Sequence, residues 1–280
     1  ITSAELTDKV FDRIANICPG KRISVPENIQ NRNETHSQEK ETADLIWGVF
    51  QSIIEAYAAD PAVRHAGSTG GVLTAMGQYL VESGEVDFIL HAQASTLQPT
   101  FGQFKISKTA SEVLDGAGSR YAPTAPLVDV MSLLDLGQRF AFIGKPCDVS
   151  ALRNLAEIDD RVERLTPYKL AMVCGGFSPP KSNDRFLREE CGVEPEELKA
   201  LRYRGYGCPG PTRLELHDGR IIEKTYIDFW GEDESSWDLP WRCKVCPDGI
   251  GEAADLAVAD TWPGGSPDPK LMDKDQGTNA

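Results

Sequence analysis

Arg139-Phe140-Ala141-Phe142-Ile143-Gly144-Lys145-Pro146-Cys147 is a short apolar run that stops at a glycine and then delivers a lysine and a cysteine. Arg139 to Ile143 has the length and composition of a buried strand, closed by turn residues. The same pattern recurs at Lys169 to Val173, a strand ended by Cys174-Gly175-Gly176. Around these two runs the chain alternates glycine-bearing turns, helices and strands from Gly67 onward. The spacing predicts a helix over Val72 to Ser83, a strand over Phe88 to Ala92, and helices over Ala125 to Leu136 and Val149 to Ala156. That alternation predicts an α/β fold, a mixed sheet flanked by helices. Thr212 to Leu216 and Ile221 to Lys224, on either side of His217-Asp218-Gly219-Arg220, read as a β-hairpin.

Upstream, apolar residues at Leu6, Val10, Phe11, Ile14 and Ile17 predict a helix over Ser3 to Ile17, with Thr2 or Ser3 as its cap. Glu27 to Thr42 is polar and reads as an exposed connector. Leu45, Ile46, Val49, Phe50, Ile53, Ile54 and Tyr57 return to helical spacing and predict an amphipathic helix over Ala43 to Ala59.

Composition narrows the function. With 29 Lys and Arg against 43 Asp and Glu, the formal net charge of -14 opposes nucleic acid and anionic lipid as partners. The longest apolar runs, Phe140 to Ile143 and Leu170 to Cys174, fall far short of the roughly 20 residues a membrane span needs. Ile1 to Cys18 lacks the basic head and apolar run of a signal peptide, and the expected location is the cytoplasm. There, seven cysteines, an odd number, point to metal ligands or reactive thiols before disulfides.

Cys243 and Cys246 form a Cys-x2-Cys loop ended by Pro247, which sets two thiols on one side of a tight turn. Cys147 and Cys174 each follow a predicted strand, and the carboxyl ends of strands are where open α/β sheets gather ligands. Together they make four ligands, suited to a tetrahedral zinc or a [4Fe-4S] cluster. Convergence of three separate chain regions favours the cluster over zinc. Cys208 is the rival ligand, Cys18 precedes Pro19 with no partner cysteine near it in sequence, and Cys191 reads as a helix-terminal thiol.

Two glycine loops complete the picture. Gly67-Ser68-Thr69-Gly70-Gly71-Val72-Leu73-Thr74 opens a predicted helix, whose backbone N–H groups could receive a phosphate, although it is neither Gly-x-Gly-x-x-Gly nor a Walker loop. Gly116-Ala117-Gly118-Ser119-Arg120-Tyr121 offers a flexible turn, a cation and a ring that could clamp a diphosphate and stack on a planar group. A Gly-rich helix entry by itself is more often a turn than a nucleotide site, and either loop alone is a weak signal. Lys145 supplies a cation beside a strand-end cysteine, where it could stabilise an anionic reduced flavin, polarise a substrate or simply be solvated. The histidines His36, His65, His91 and His217 form no motif.

Taken in order, several stretches resemble one family, the beta subunits of coenzyme F420-reducing hydrogenase and related formate dehydrogenase, which includes 7-hydroxymethyl chlorophyll a reductase. They are Ser68 to Ala75, Glu82 to Asp87, Gly118 to Tyr121, Gly144 to Cys147, the strand ending in Cys174, Tyr203 to Gly205 with Cys208 to Gly210, and Cys243 to Cys246 followed by Ala254 to Trp262. The resemblance implies an iron-sulfur flavoprotein oxidoreductase carrying FAD and a [4Fe-4S] cluster. It implies cluster ligands at Cys147, Cys174, Cys243 and Cys246. Flavin contacts are implied at Ser68, Thr69, Gly70, Gly71, Thr74, Gly118, Ser119, Arg120 and Tyr121, with Lys145 near the ring as the catalytic cation. Electrons would pass between a redox partner, such as ferredoxin, a hydrogenase or dehydrogenase subunit or a deazaflavin, and a small-molecule substrate; a homo-oligomer is also compatible. The implied organisation is a helical segment over 1–60, a flavin-binding domain over 61–145 and an iron-sulfur-binding C-terminal part over 146–280, incomplete at its end. Members with a second cluster carry a Cys-x2-Cys-Gly-x-Cys run before the Cys-Pro step, and here no cysteine precedes Cys18. The alternatives are a zinc-stabilised binding module without redox activity and an electron-transfer subunit with no substrate of its own.

Overall fold

In chain order the protein forms α1 (Asp8–Ile17), β1 (Thr42–Asp44), β2 (Gly48–Phe50), α2 (Pro61–Ala66), α3 (Val72–Glu82), β3 (Phe88–Ala94) and β4 (Gly102–Ser107). Then follow α4 (Ala110–Leu114), α5 (Val130–Asp135), β5 (Phe140–Gly144), α6 (Pro146–Ala156), α7 (Arg161–Leu165) and β6 (Tyr168–Met172). The remainder is α8 (Pro180–Glu189), β7 (Leu198–Arg202), β8 (Thr212–Leu216), β9 (Ile221–Lys224), α9 (Tyr226–Trp230), α10 (Trp241–Lys244), β10 (Leu256–Val258), β11 (Asp260–Thr261) and β12 (Thr278–Asn279). This computed structural model describes residues 8–23, 42–44, 47–262 and 277–280. The start of the first predicted helix, nearly all of the polar connector, and His36 lie outside the described residues.

The central sheet has the order β10-β6-β5-β3-β4, with β10, β6, β5 and β3 parallel and β4 antiparallel on β3. It is the mixed sheet that the alternation of elements predicts. Strand residues alternate between faces. Phe88, Leu90, Phe140 and Phe142 pack with Leu133 and Leu134 of α5, Val149 and Leu152 of α6 and Val162 of α7. Ile89, Ala141, Ile143 and Leu170 pack with Leu80 of α3 and Val113 of α4. Burial on both faces is why the run from Phe140 is uniformly apolar. Each fully buried Phe contributes about 1.5–3 kcal/mol. Gly77 lets α3 lie close on the sheet, since a Cβ there would stand 3.1 Å from both Ile143 Cδ1 and Val113 Cγ1. A second core forms where α8 packs on the antiparallel sheet β7-β8-β9 through Phe186, Leu187, Leu201, Tyr203 and Leu214. The β8–β9 hairpin has the predicted limits, with Gly219 at a φ of +90°.

Three predicted helices need correction. Among the described residues of 43–59 no helix forms: β1 and β2 pair antiparallel with Gly48 at a φ of +70°, and the chain beyond them is irregular apart from a bridge at Ala56. Long-range pairing overrides the local period. Ala56 exchanges N–H···O bonds of 2.8 Å in both directions with Asn279, and Ala58 donates to Gly70 at 2.7 Å. Ile53, Ile54 and Tyr57 consequently stay exposed. The helix expected over Ala125 to Leu136 contracts to α5, because the stretch containing Pro126 makes i to i−3 turns at Val128 and Val130. The helix expected from Val149 begins instead at Pro146, where proline suits the first helical turn. Cys147 therefore lies in the first turn of α6.

Away from the carboxyl ends of the strands, Lys169 is wholly buried and donates to Thr166 O at 2.6 Å, with Glu163 at 3.5 Å. Buried Arg153 binds Glu163 at 3.2 Å and Asp255 at 2.8 Å. Burial foremost, with the Arg153 charge, pulls the Lys169 pKa from 10.5 down to about 8. Between those values the unfolded chain holds a proton that the folded chain has released, so stability rises with pH across that window. The gain is expected to be about 3 kcal/mol. Urea unfolding at a series of pH values should show this slope in the native protein and its loss in Lys169→Met.

Candidate functional site

A cavity of about 250 Å³ opens at the carboxyl ends of the parallel strands, bounded by Ile143, Gly144, Met172 and Val258. Both glycine loops reach it, as do Lys145, Cys174, Arg204 and Asp260. This is the edge of an α/β sheet where ligands are expected.

The two loops are joined to each other. Ser119 donates from its backbone N–H and its hydroxyl to Ser68 Oγ, at 2.7 and 2.8 Å. Gly71 precedes α3 in the left-handed region, with a φ of +74°. Thr69 donates to Asp260 at 2.9 Å and accepts from the Asn279 amide at 2.6 Å. The Val72 N–H, a donor at the start of α3, goes to Asn279 Oδ1 at 3.3 Å. Part of the hydrogen-bonding capacity that the sequence offers to a phosphate is thus used by the C-terminal strand. Gly70 lies behind this contact, where a Cβ would fall 2.6 Å from Asn279 Oδ1.

On the second loop, Gly118 has a φ of +94°, and a Cβ there would stand 2.6 Å from Arg204 O. Arg120 donates to Leu201 O at 2.8 Å, while its buried Nε has no partner. Burial, then repulsion from Arg202, lowers its pKa to about 10. Among the described residues it makes no ion pair, so it is a cation in the cavity wall with capacity for an anion. Tyr121 meets Trp230 edge-on, at 5.0 Å between ring centroids.

Arg204, itself buried, ties these parts together. It donates to Pro209 O at 3.0 Å, Ser68 O at 2.7 Å, the Tyr121 hydroxyl at 3.2 Å and Asp260 at 2.6 Å. Burial alone would loosen its proton, but Tyr121 and Asp260 more than reverse this and raise its pKa. Its guanidinium also lies 4.8 Å from the centre of the Trp262 ring.

Lys145 caps the start of α6 and pairs with Asp148 at 2.5 Å. Burial opposes its charge, yet Asp148 raises its pKa overall. The sulfurs cluster on this side. Negative charge on Cys174 or Cys246 disfavours the Cys147 thiolate, and charge on Cys243 or Cys246 disfavours that of Cys174. Burial first, then Asp148, pushes the Cys147 thiol up to about 12. Burial also raises Cys174 and Cys243, although backbone N–H groups of Gly176 and Phe177 donate to their sulfurs and partly offset it. Among the described residues, no three His, Cys, Asp or Glu side chains are drawn together tightly enough to hold one metal ion.

The structure thus brings Ser68, Thr69, Gly71, Thr74, Gly118, Ser119, Arg120, Tyr121 and Lys145 to one cavity, which Cys174 also lines. Cys147, Cys243 and Cys246 are grouped beside it. Cys208 is buried against Gly277. Cys191 follows α8 and packs on the second core, and Cys18 is exposed after α1. Sequence reasoning misses the roles of Arg204, Asp260 and Asn279. The available signals are an arginine inside the glycine-rich stretch 202–210 and an aspartate directly after an apolar strand.

The site is a strand-edge cavity flanked by a cysteine group on a mixed α/β sheet. Residues 53–132 match the N-terminal model, and residues 137–279 the C-terminal model, of the coenzyme F420 hydrogenase/dehydrogenase beta subunits, so the chain belongs to this family. It is 25% identical over 206 residues to the F420-dependent formate dehydrogenase 1 subunit beta of Methanococcus maripaludis, covering 73% of this chain and 50% of the relative. It is 24% identical over 213 residues to the coenzyme F420-dependent sulfite reductase of Methanocaldococcus jannaschii, covering 72% of this chain and 32% of that protein. The chain therefore spans half or less of the length of these relatives, which by name are oxidoreductases or their subunits. The fold is similar to a chain of the xenon-derivatised F420-reducing [NiFe] hydrogenase complex of Methanosarcina barkeri, with a TM-score of 0.61 and 18% identity over 81% of this chain and 75% of that one. Among the described residues no helix is long and apolar enough to cross a membrane.

Asp260→Asn removes the carboxylate paired with buried Arg204 and leaves the neutral acceptors Ser68 O, Pro209 O and the Tyr121 hydroxyl. With the Asp260 side chain 32% exposed, the expected loss is about 1–3 kcal/mol, read as a lower thermal midpoint, whereas removal of an exposed pair such as Arg220 with Glu197 should cost under about 1 kcal/mol.

Proposed function

We propose that the chain is an iron-sulfur flavoprotein redox subunit that passes electrons between a [4Fe-4S] cluster and FAD, and so reduces or oxidises a small molecule or a deazaflavin. The observation that carries this reading is the single cavity faced by both glycine loops, by Lys145 and by Cys174. Its volume of about 250 Å³ falls just below the roughly 300–1,000 Å³ of small-molecule sites, and its mouth is open. A planar ring system suits the strand-edge pocket, with the rest of a dinucleotide along the mouth.

Four thiols drawn from three chain regions make a donor set of the kind that holds a [4Fe-4S] cluster. N–H donors on Cys174 and Cys243 are the contacts that tune cluster sulfurs. Membership of a redox family further disfavours the zinc-stabilised module. Cys147, Cys174, Cys243 and Cys246 would hold the cluster. When bound, FAD supplies two-electron chemistry and the cluster one-electron transfer.

The chain's own residues then have distinct tasks. Arg120 offers its unpaired Nε side to an anionic group, and Tyr121 a ring face or edge. Lys145, kept protonated by Asp148, places positive charge between the cavity and the sulfurs. Ile143, Met172 and Val258 exclude water from the floor. His91, held at 2.8 Å from Ser107, stays neutral because burial first and Lys105 second lower its pKa to about 4.

An anaerobic visible spectrum, with iron, zinc and acid-released flavin quantified on one sample, tests the reading. About four irons per chain, the cubane number, together with one FAD are expected. A colourless protein with one tight zinc overturns it. Cys243→Ser should lose iron while circular dichroism keeps the α/β signal; unchanged iron refutes the ligand assignment. Lys145→Gln should keep flavin and iron but lower turnover by about 10²-fold or more.

A further inference from the structure

The cysteine group has an inner and an outer side. Cys174 lines the cavity, whereas α10 and the residues after it present their side chains outward around Cys243 and Cys246. Trp241 is 75% exposed and Val245 50% exposed, and Lys244 between them is exposed too. Large apolar side chains held in water beside a functional loop mark an interaction surface when they are grouped and rimmed by charge.

The rim comes from a second chain segment. Arg242 Nη2 donates to Pro19 O, which fixes the turn after α1 against α10. That turn closes through N–H bonds from Lys21 and Arg22 to Cys18 O, at 3.0 and 3.1 Å. Arg22 is neutralised by Glu157 at 2.9 Å. Lys21, Arg242 and Lys244 make no ion pair among the described residues. A local positive rim around exposed Trp241 and Val245 thus stands on a chain with a formal net charge of -14.

We infer that this face, Trp241, Lys244 and Val245 with Lys21 and Arg242 at its edge, docks an acidic protein that carries single electrons, of the class of small ferredoxins. The inference rests on the proposed function, which makes the neighbouring cysteines the electron port. Charge selects both partner and orientation. An acidic carrier is repelled by most of the surface and attracted here, and desolvated tryptophan supplies the anchor. Docking elsewhere would set the carrier farther from Cys243 and Cys246.

Binding of an oxidised acidic ferredoxin to the full, anaerobically prepared chain, followed by titration calorimetry, tests this without any turnover. Affinity should fall steeply between about 0.03 M and about 0.3 M salt, the range over which screening sets in. Lys244→Glu and Trp241→Ser should each weaken binding by about tenfold or more at low salt, and the first should also flatten the salt dependence. Lys199→Glu, at the exposed position of β7, makes the same charge change elsewhere and should leave the affinity within about twofold. No binding by the native chain at low salt, equal binding by all variants, or equal weakening by Lys199→Glu overturns the docking face. Iron measured on the same samples separates the two claims. An iron-loaded chain whose variants bind equally sinks the docking face alone, and an iron-free, folded chain that binds through Lys244 and Trp241 sinks the redox reading alone.

Discussion

Removing the Arg204 guanidinium from water carries a penalty of several kcal/mol, and the fold recovers it only by bringing four acceptors from four separate stretches of chain to that one group. Ser68 O, the Tyr121 hydroxyl, Pro209 O and Asp260 are those acceptors. Each belongs to a different wall of the cavity or its support. The walls therefore cannot separate without exposing an unpaired buried charge. Asp260 accepts from Thr69 as well, so the first glycine loop is fastened to the end of the sheet by two routes. This makes the cavity a preformed feature with little freedom to collapse, which is what a planar ligand requires of its site.

Legibility from sequence follows the range of the forces involved. The central strands are readable because burial on both faces writes a continuous apolar run, as from Phe140 to Ile143. The β8–β9 hairpin is readable because its turn chemistry is local. The segment 43–59 misleads because its apolar spacing is helical while its backbone pairs with Asn279, more than two hundred residues away in sequence. No local pattern encodes that partner. Within the site, the glycine loops and strand-end cysteines stand out by residue type and position. Arg204 does not, since an arginine in a glycine-rich stretch is ordinarily solvated, and only tertiary structure shows it buried with Asp260. Asn279 is invisible for the same reason.

The asymmetry of the sheet explains where chemistry is placed. Near the amino end of β6, buried Lys169 and Arg153 pair with the partly exposed carboxylates of Glu163 and Asp255. At the carboxyl ends the loops are glycine-rich, and three cations, Arg120, Lys145 and Arg204, line a cavity. Both ends thus contain buried charge, but only the second leaves a cation without a carboxylate. An arginine with a buried, unbonded Nε in a cavity wall is unfavourable in isolation and becomes favourable when an anionic group completes its hydrogen bonds. The anion-binding role proposed for Arg120 rests on that imbalance more directly than on the glycines beside it.

The two stretches that define the family do not stand as independent cores. β3 and β4 come from the first, and β5, β6 and β10 from the second, yet all five lie in one sheet. At the mouth, Ala56 from the first stretch and Asn279 from the second pair backbone to backbone directly over Gly70. The cavity is thus closed by a contact between residues more than two hundred positions apart, whose loop-closure entropy is offset within the intervening sheet. A cavity clasped over a continuous sheet shares the rigidity of that sheet. The cysteine group likewise depends on β6, α6 and the loop after α10 being in place together. Ligand pocket and sulfur group are therefore outcomes of one cooperative fold, and a change that loosens the Asn279 clasp or the Arg204 hub should be felt at both.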